Sequence, residues 1–253
     1  MKLTLTRFTV AALVVACLNP AYSQRRRGSF DFELSREDIQ RLLNQGEAAA
    51  NGIASGDGLR SNTVAERGPI VKRPTRMHIA VVERDGKLVG LRSMADAWVG
   101  SEDIAIAKAR SAAFFSSDEN ALTSRIIGEL SQLTTGSDGK IATGPLWGIG
   151  SSNQQGATGG KETRNGLITF PGGVAIYKNG RLIGGVGVSG DAVDQDEAVA
   201  LGAAVGFEPG ANAVKLGYKA PSVPRLEPPP AVAPVTGAPA SAVPGGPTTT
   251  APR

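Results

Sequence analysis

The residues able to do chemistry in this 253-residue chain are few. There is one histidine, His78, and one cysteine, Cys17. A single imidazole cannot supply a His-rich metal cluster within one chain, and a Ser-His-Asp triad could form only around His78. The stretch GGVGVSG is more suggestive, because Gly185, Gly187 and Gly190 match G-x-G-x-x-G. A dinucleotide turn needs a parallel strand before it, a helix N-terminus free to face phosphate, and an acid some 20 residues on. Here the preceding strand is the second arm of a hairpin. The following helix opens with Asp191, Asp194, Asp196 and Glu197, which would repel pyrophosphate. Glu208 stands at a suitable distance but in FEPG, a turn. The glycines therefore point to a helix or a second chain packed close on this strand. Asp194, Asp196 and Glu197 fit dipole capping better than a metal site.

His78 lies in RMHIAVV, where Met77, Ile79 and Val81 point one way and His78, Ala80 and Val82 the other. One reading is a half-buried strand histidine satisfied by a backbone group; the other is a ligand. Met77 and Met94 fit core filler and Tyr177 a surface strand position. Arg92, Lys108 and Arg110 come near one another if the strands around 78–93 pack on the helix that follows. They then serve as surface salt bridges or as an anion-binding group. Trp98 and Trp147 stand in or beside loops, where they would cap a core edge or cover a ligand. No acid/base pair or activated nucleophile is forced together.

The elements that must position these residues are legible. LSREDIQRLLNQGEAAANGIASG predicts a helix, with Ser35 as N-cap, Asp38 completing a capping box, and an apolar stripe through Ile39, Leu42, Leu43, Ala50 and Ile53. MHIAVVERDGKLVGLRSM predicts a hairpin around Asp85-Gly86. Ser101 then caps a helix with Glu102 and Asp103 in its first turn, and ENALTSRIIGELSQL predicts a second. Residues 134–166, like 56–75, read as a long loop. FPGGVAIYKNGRLIGGVGVSG predicts a second hairpin around Asn179-Gly180, and a helix closes the domain from about Asp194 to Gly206. Hairpins and helices in this order make an α+β domain with an antiparallel sheet.

Both ends read differently. The opening MKLTLTRFTVAALVVACLNPAYSQ has the basic, apolar and small-residue regions of a secretory leader cleaved near Ser23-Gln24. A lipobox at VVAC would instead lipidate Cys17, although Val14 fits that pattern poorly. Residues 24–33 form a basic arm with RRR at 25–27. From Lys219 the Pro/Ala-rich sequence predicts a disordered, partly polyproline-II tail over 219–253. A net charge of +4 and sparse aromatics argue against nucleic-acid binding.

IAVVERDGKLVGLRSMADA, GSEDIAIAKARSAAFF and FPGGVAIYKNGRLIGGVGVSGDAVDQDEAVALGAA together resemble the GlcG/HbpS-type haem-binding family. Its domain recurs at the C-terminus of some cobalamin adenosyltransferases. The resemblance spans about residues 34–207 and places the domain at 34–218. It implies a profilin-like antiparallel sheet of about five strands flanked by helices, and a homo-oligomer. It also implies non-covalent binding of haem or another tetrapyrrole, a corrinoid included, for sensing, buffering or delivery; the leader places the mature chain in the periplasm or outside the cell. The alternatives are an enzyme of haem breakdown or of small organic acid or cofactor handling, and a ligand-free accessory subunit. On this reading His78 is the axial iron ligand, with Met77, Met94 and Tyr177 as weaker candidates. Arg92, Lys108 and Arg110 would meet the propionates. No C-x-x-C-H is present for covalent attachment.

Overall fold

The computed structural model describes residues 33–56, 73–135, 138–149 and 167–226. The leader expected over 1–23, most of the basic arm expected over 24–33, most of the stretches 56–75 and 134–166 expected as loops, and the expected tail from 227 onward lie outside the described residues.

Helix α1 (Arg36–Asn51) begins as its sequence dictates. The Asp38 N–H donates to Ser35 Oγ at 3.1 Å, and the Ser35 N–H donates to Asp38 Oδ2 at 3.0 Å. Its buried face carries Leu42, Leu43, Gly46 and Ala50. Strands β1 (His78–Glu83) and β2 (Leu88–Ser93) follow, then a 3-10 turn (Val99–Ser101) and helix α2 (Glu102–Phe114). Next come β3 (Asn120–Leu122), α3 (Ser124–Leu130), β4 (Leu133–Thr135) and β5 (Ile141–Thr143). Then come β6 (Gly173–Lys178), β7 (Arg181–Ser189), α4 (Val193–Ala203) and β8 (Val214–Leu216).

The central sheet has the order β2-β1-β7-β6, every pair antiparallel. Alternation splits it into two faces. Ile79, Val81, Val174, Ile176, Val186 and Val188 point toward α1 and α4, joining Leu42, Leu43, Val199 and Ala203 in the main core. Ala175, Tyr177, Leu182 and Val82 pack with the alanines of α2 on the other side. The result is α1 and α4, then the sheet, then α2.

The glycines of β7 are explained by α2. A Cβ on Gly185 would overlap the Ala109 carbonyl oxygen, and one on Gly187 the Ala105 carbonyl oxygen. Asn179 at φ 52° and Gly180 at φ 76° make the two-residue turn between β6 and β7. Gly86 at φ 85° closes a longer turn between β1 and β2.

Several expectations need correction. The main sheet has four strands. β3 meets it at a Thr123–Val174 backbone bridge and pairs in parallel with β8, which carries no strong strand signal. The segment ENALTSRIIGELSQL starts as strand, not helix. Part of the long loop is the β4–β5 hairpin. Ser101 does not cap α2 through its side chain, because the 3-10 turn runs straight into the helix. Tyr177 is buried, not at the surface: both faces of β6 are covered, and its hydroxyl donates to Ser117 O at 2.9 Å. The start of the proline-rich tail is docked. Arg225 bridges Ile53, Ala54 N–H donates to Pro224 O at 2.9 Å, and Leu226 N–H donates to Gly52 O at 3.1 Å. Proline lacks a donor, yet its carbonyl still accepts.

Candidate functional site

His78 opens β1, and the register sets it between Ser93 on β2 and Ser189 on β7. It is 4% exposed. Its Nδ1 lies 2.9 Å from Ser93 Oγ, and its Nε2 lies 2.9 Å from the Trp98 carbonyl oxygen. That carbonyl only accepts, so Nε2 carries the proton. Ser93 Oγ is 3.2 Å from Glu102 Oε2, which stands 3.7 Å from His78 Nδ1. In the neutral ring Ser93 donates to Nδ1; in the doubly protonated ring it accepts from Nδ1 and donates to Glu102. The histidine thus joins β1, β2, the 94–101 connection and the start of α2. Ser101 Oγ and Ser189 Oγ are buried without a hydrogen-bond partner among the described residues. The Trp98 ring, 39% exposed, lies over Gly100.

The three expected cations do not converge. Arg92 points to the α1 side of the sheet, where it meets Asn44 and Glu47. Parity requires this, because Gly90 two residues earlier already faces Ile39 of α1. Lys108 is 1% exposed on the other side of the sheet; its Nζ donates to Asp196 Oδ2 at 2.7 Å and to Val188 O at 3.1 Å. Arg110 donates from Nε to Gly86 O at 2.9 Å, at the β1–β2 turn. Met77 and Met94 lie in the main core.

The acids of α4 are ion-pair partners more than dipole caps. The N-cap is Ala192, with no side-chain cap. Asp196 accepts from Lys108 and from the Asp191 N–H. Asp194 and Glu197 both bind Arg125, at 2.5 and 2.6 Å. Burial pushes the Asp196 and Glu197 carboxyls above the usual range, against the opposing pull of Lys108 and Arg125. Asp191 in turn accepts from Ser55 Oγ at 2.5 Å and the Gly56 N–H at 2.8 Å. Among the described residues no three His, Cys, Asp or Glu side chains gather to hold a metal ion. An open concavity on α1, lined by Arg36, Gln40, Arg41 and Asn44, draws on one helix alone. No helix among the described residues is long and apolar enough to cross a membrane.

His78, Arg92, Lys108 and Arg110 therefore do not fit a single tetrapyrrole site within one chain. Two partners of His78 were within reach of sequence reasoning. Antiparallel register around Asp85-Gly86 sets Ser93 opposite His78, and Glu102 opens the next helix. Arg125 and Ser55 carry no local signal.

Comparison with known proteins gives the chain its relatives. A protein from Citrobacter freundii, described as an uncharacterized 15.0 kDa protein in the dhaT-dhaS intergenic region, is 30% identical over 121 residues, covering 48% of this chain and 68% of that protein. The crystal structure of a PduOC:heme complex matches with 22% identity and a TM-score of 0.47, covering 70% of this chain and 97% of that one. Klebsiella pneumoniae protein ORFY matches with 25% identity and a TM-score of 0.44, covering 68% and 89%. A double mutant of Streptomyces reticuli HbpS gives 18% and 0.43, covering 70% and 88%. The model of the family described as haem degrading protein HbpS-like matches residues 65–204. The chain belongs to the HbpS-like family.

Proposed function

We propose that this chain is an exported protein that binds haem or a related tetrapyrrole non-covalently, for sensing, buffering or delivery. The observation that carries the reading is the family match over residues 65–204, since that family's description is of haem handling. The same description favours one second reading, oxidative breakdown of the bound haem. The chain acts as a homo-oligomer, a reading supported by the open edge of β2, where Leu88 and Leu91 are exposed. The site takes shape where exposed apolar side chains and flanking cations of more than one copy meet, because the four residues named above do not meet within one. Cleavage near Ser23-Gln24 releases the mature chain.

The test is a haemin titration of the purified full-length protein. A Soret band that saturates at a fixed ratio supports binding, and a corrinoid added as competitor measures selectivity. Loss of that band with reductant and oxygen moves the assignment to breakdown. Absence of a saturable band sinks both readings. N-terminal sequencing of secreted protein locates the cleavage.

A further inference from the structure

We infer that His78 is a tether and not an iron ligand, so that haem held by this chain is not ligated by histidine and its iron takes up added imidazole. This rests on the haem reading above for its second half only. The count is decisive. His78 is the one histidine in the entire sequence, so excluding it excludes imidazole ligation from every part of the chain and from every copy of it.

The geometry excludes it. Both ring nitrogens are engaged at 2.9 Å, one by Ser93 Oγ and one by the Trp98 carbonyl. An iron ligand must present one bare nitrogen to open space. Here the ring is 4% exposed, and Nε2 carries the proton that the Trp98 carbonyl demands. The carbonyl also receives the Ser101 N–H at 2.9 Å, so the ring and the 3-10 turn fasten the same atom. Ser93 and Glu102 fix the other side. Sulfur offers no substitute among the described residues, because Met77 is 0% and Met94 7% exposed.

Two measurements decide the matter. Full-length wild type and His78→Gln are each loaded with ferric haemin and followed by absorption and electron paramagnetic resonance. The expected result is the same Soret position and stoichiometry in both, a high-spin iron, and conversion of both to low spin by added imidazole. An imidazole-type low-spin signal in the wild type before any addition overturns the inference, even if the variant fails to fold. So does a Soret shift or loss in a His78→Gln protein whose circular dichroism is unchanged. If the wild type shows no saturable band, the haem reading fails, and the tether is judged alone by amide hydrogen exchange. His78→Ala then exchanges residues 94–101 at least about tenfold faster while the β6–β7 amides hold, and His78→Gln restores most of the protection. Unchanged exchange in His78→Ala overturns the tether.

Discussion

Lys108 Nζ and Asp196 Oδ2 lie 2.7 Å apart with both side chains essentially fully buried, pinning α2 to α4 past the end of β7. Neither charge tolerates losing its partner, since an uncompensated buried ion costs about 3–5 kcal/mol. Asp196→Leu and Lys108→Met are each expected to lose that much in urea unfolding. A matched apolar pair, Lys108→Met with Asp196→Leu, recovers only part of it, because it removes both buried charges but takes from the Asp191 N–H its Asp196 acceptor. Additive losses in the double variant would show that the two residues do not act as a pair.

The β7 glycines make a sharper demand. The backbone of α2 occupies the space a Cβ needs at Gly187, where the obstacle is the Ala105 carbonyl oxygen and the Ala109 nitrogen, neither of which can step aside without moving the helix. Gly187→Ala is expected to cost about 3 kcal/mol or more, in the range of overpacked core sites. Gly148→Ala is the control: among the described residues nothing lies within 4 Å of its Cβ position and its φ is not left-handed, so thermal unfolding is expected within about 0.5 kcal/mol of wild type. Equal effects at the two sites would remove close helix packing as the reason for glycine.

These two cases show what the sequence carried and what it withheld. The hairpins, the capping box and the close approach to GGVGVSG were legible because each rests on local chemistry: positive φ at Asn179, Gly180 and Gly86, a hydroxyl three residues before a carboxyl, and glycines at alternate positions of a strand. The site residues were not. Which face of the sheet Arg92 joins depends on α1, more than forty residues earlier, through Asn44 and Glu47. The pairing of Lys108 with Asp196 spans 88 residues. The charge clusters of α4 looked like dipole capping because local reading sees the first helical turn and not the cations that reach it from α2 and α3. Long-range pairing likewise hid β8, a three-residue strand held by β3.

The capping box of α1 also predicts a pH response. Partial burial alone would push the Asp38 carboxyl up, but hydrogen bonds from Lys178 Nζ at 2.8 Å and from Ser35 outweigh it and hold the carboxyl below its usual range. A carboxylate depressed in the folded state contributes stability that is present above the unfolded value of about 3.9 and is lost as pH falls through the folded value. Asp38→Asn keeps an acceptor for the Ser35 N–H and removes only the charge facing Lys178. At pH 7 it is expected to cost about 0.5–1 kcal/mol, the range of a partly exposed ion pair. The gap to wild type then closes as pH falls below about 4, because the wild-type carboxyl becomes neutral as well. Asp196 and Glu197, whose carboxyls are raised, run the other way in both proteins: the folded state holds protons that the unfolded chain releases, so their contribution declines as pH rises from about 4. The difference between the two unfolding curves isolates Asp38 from that background. A gap that stays constant down to pH 2 would show that Lys178 does not stabilise the charged form.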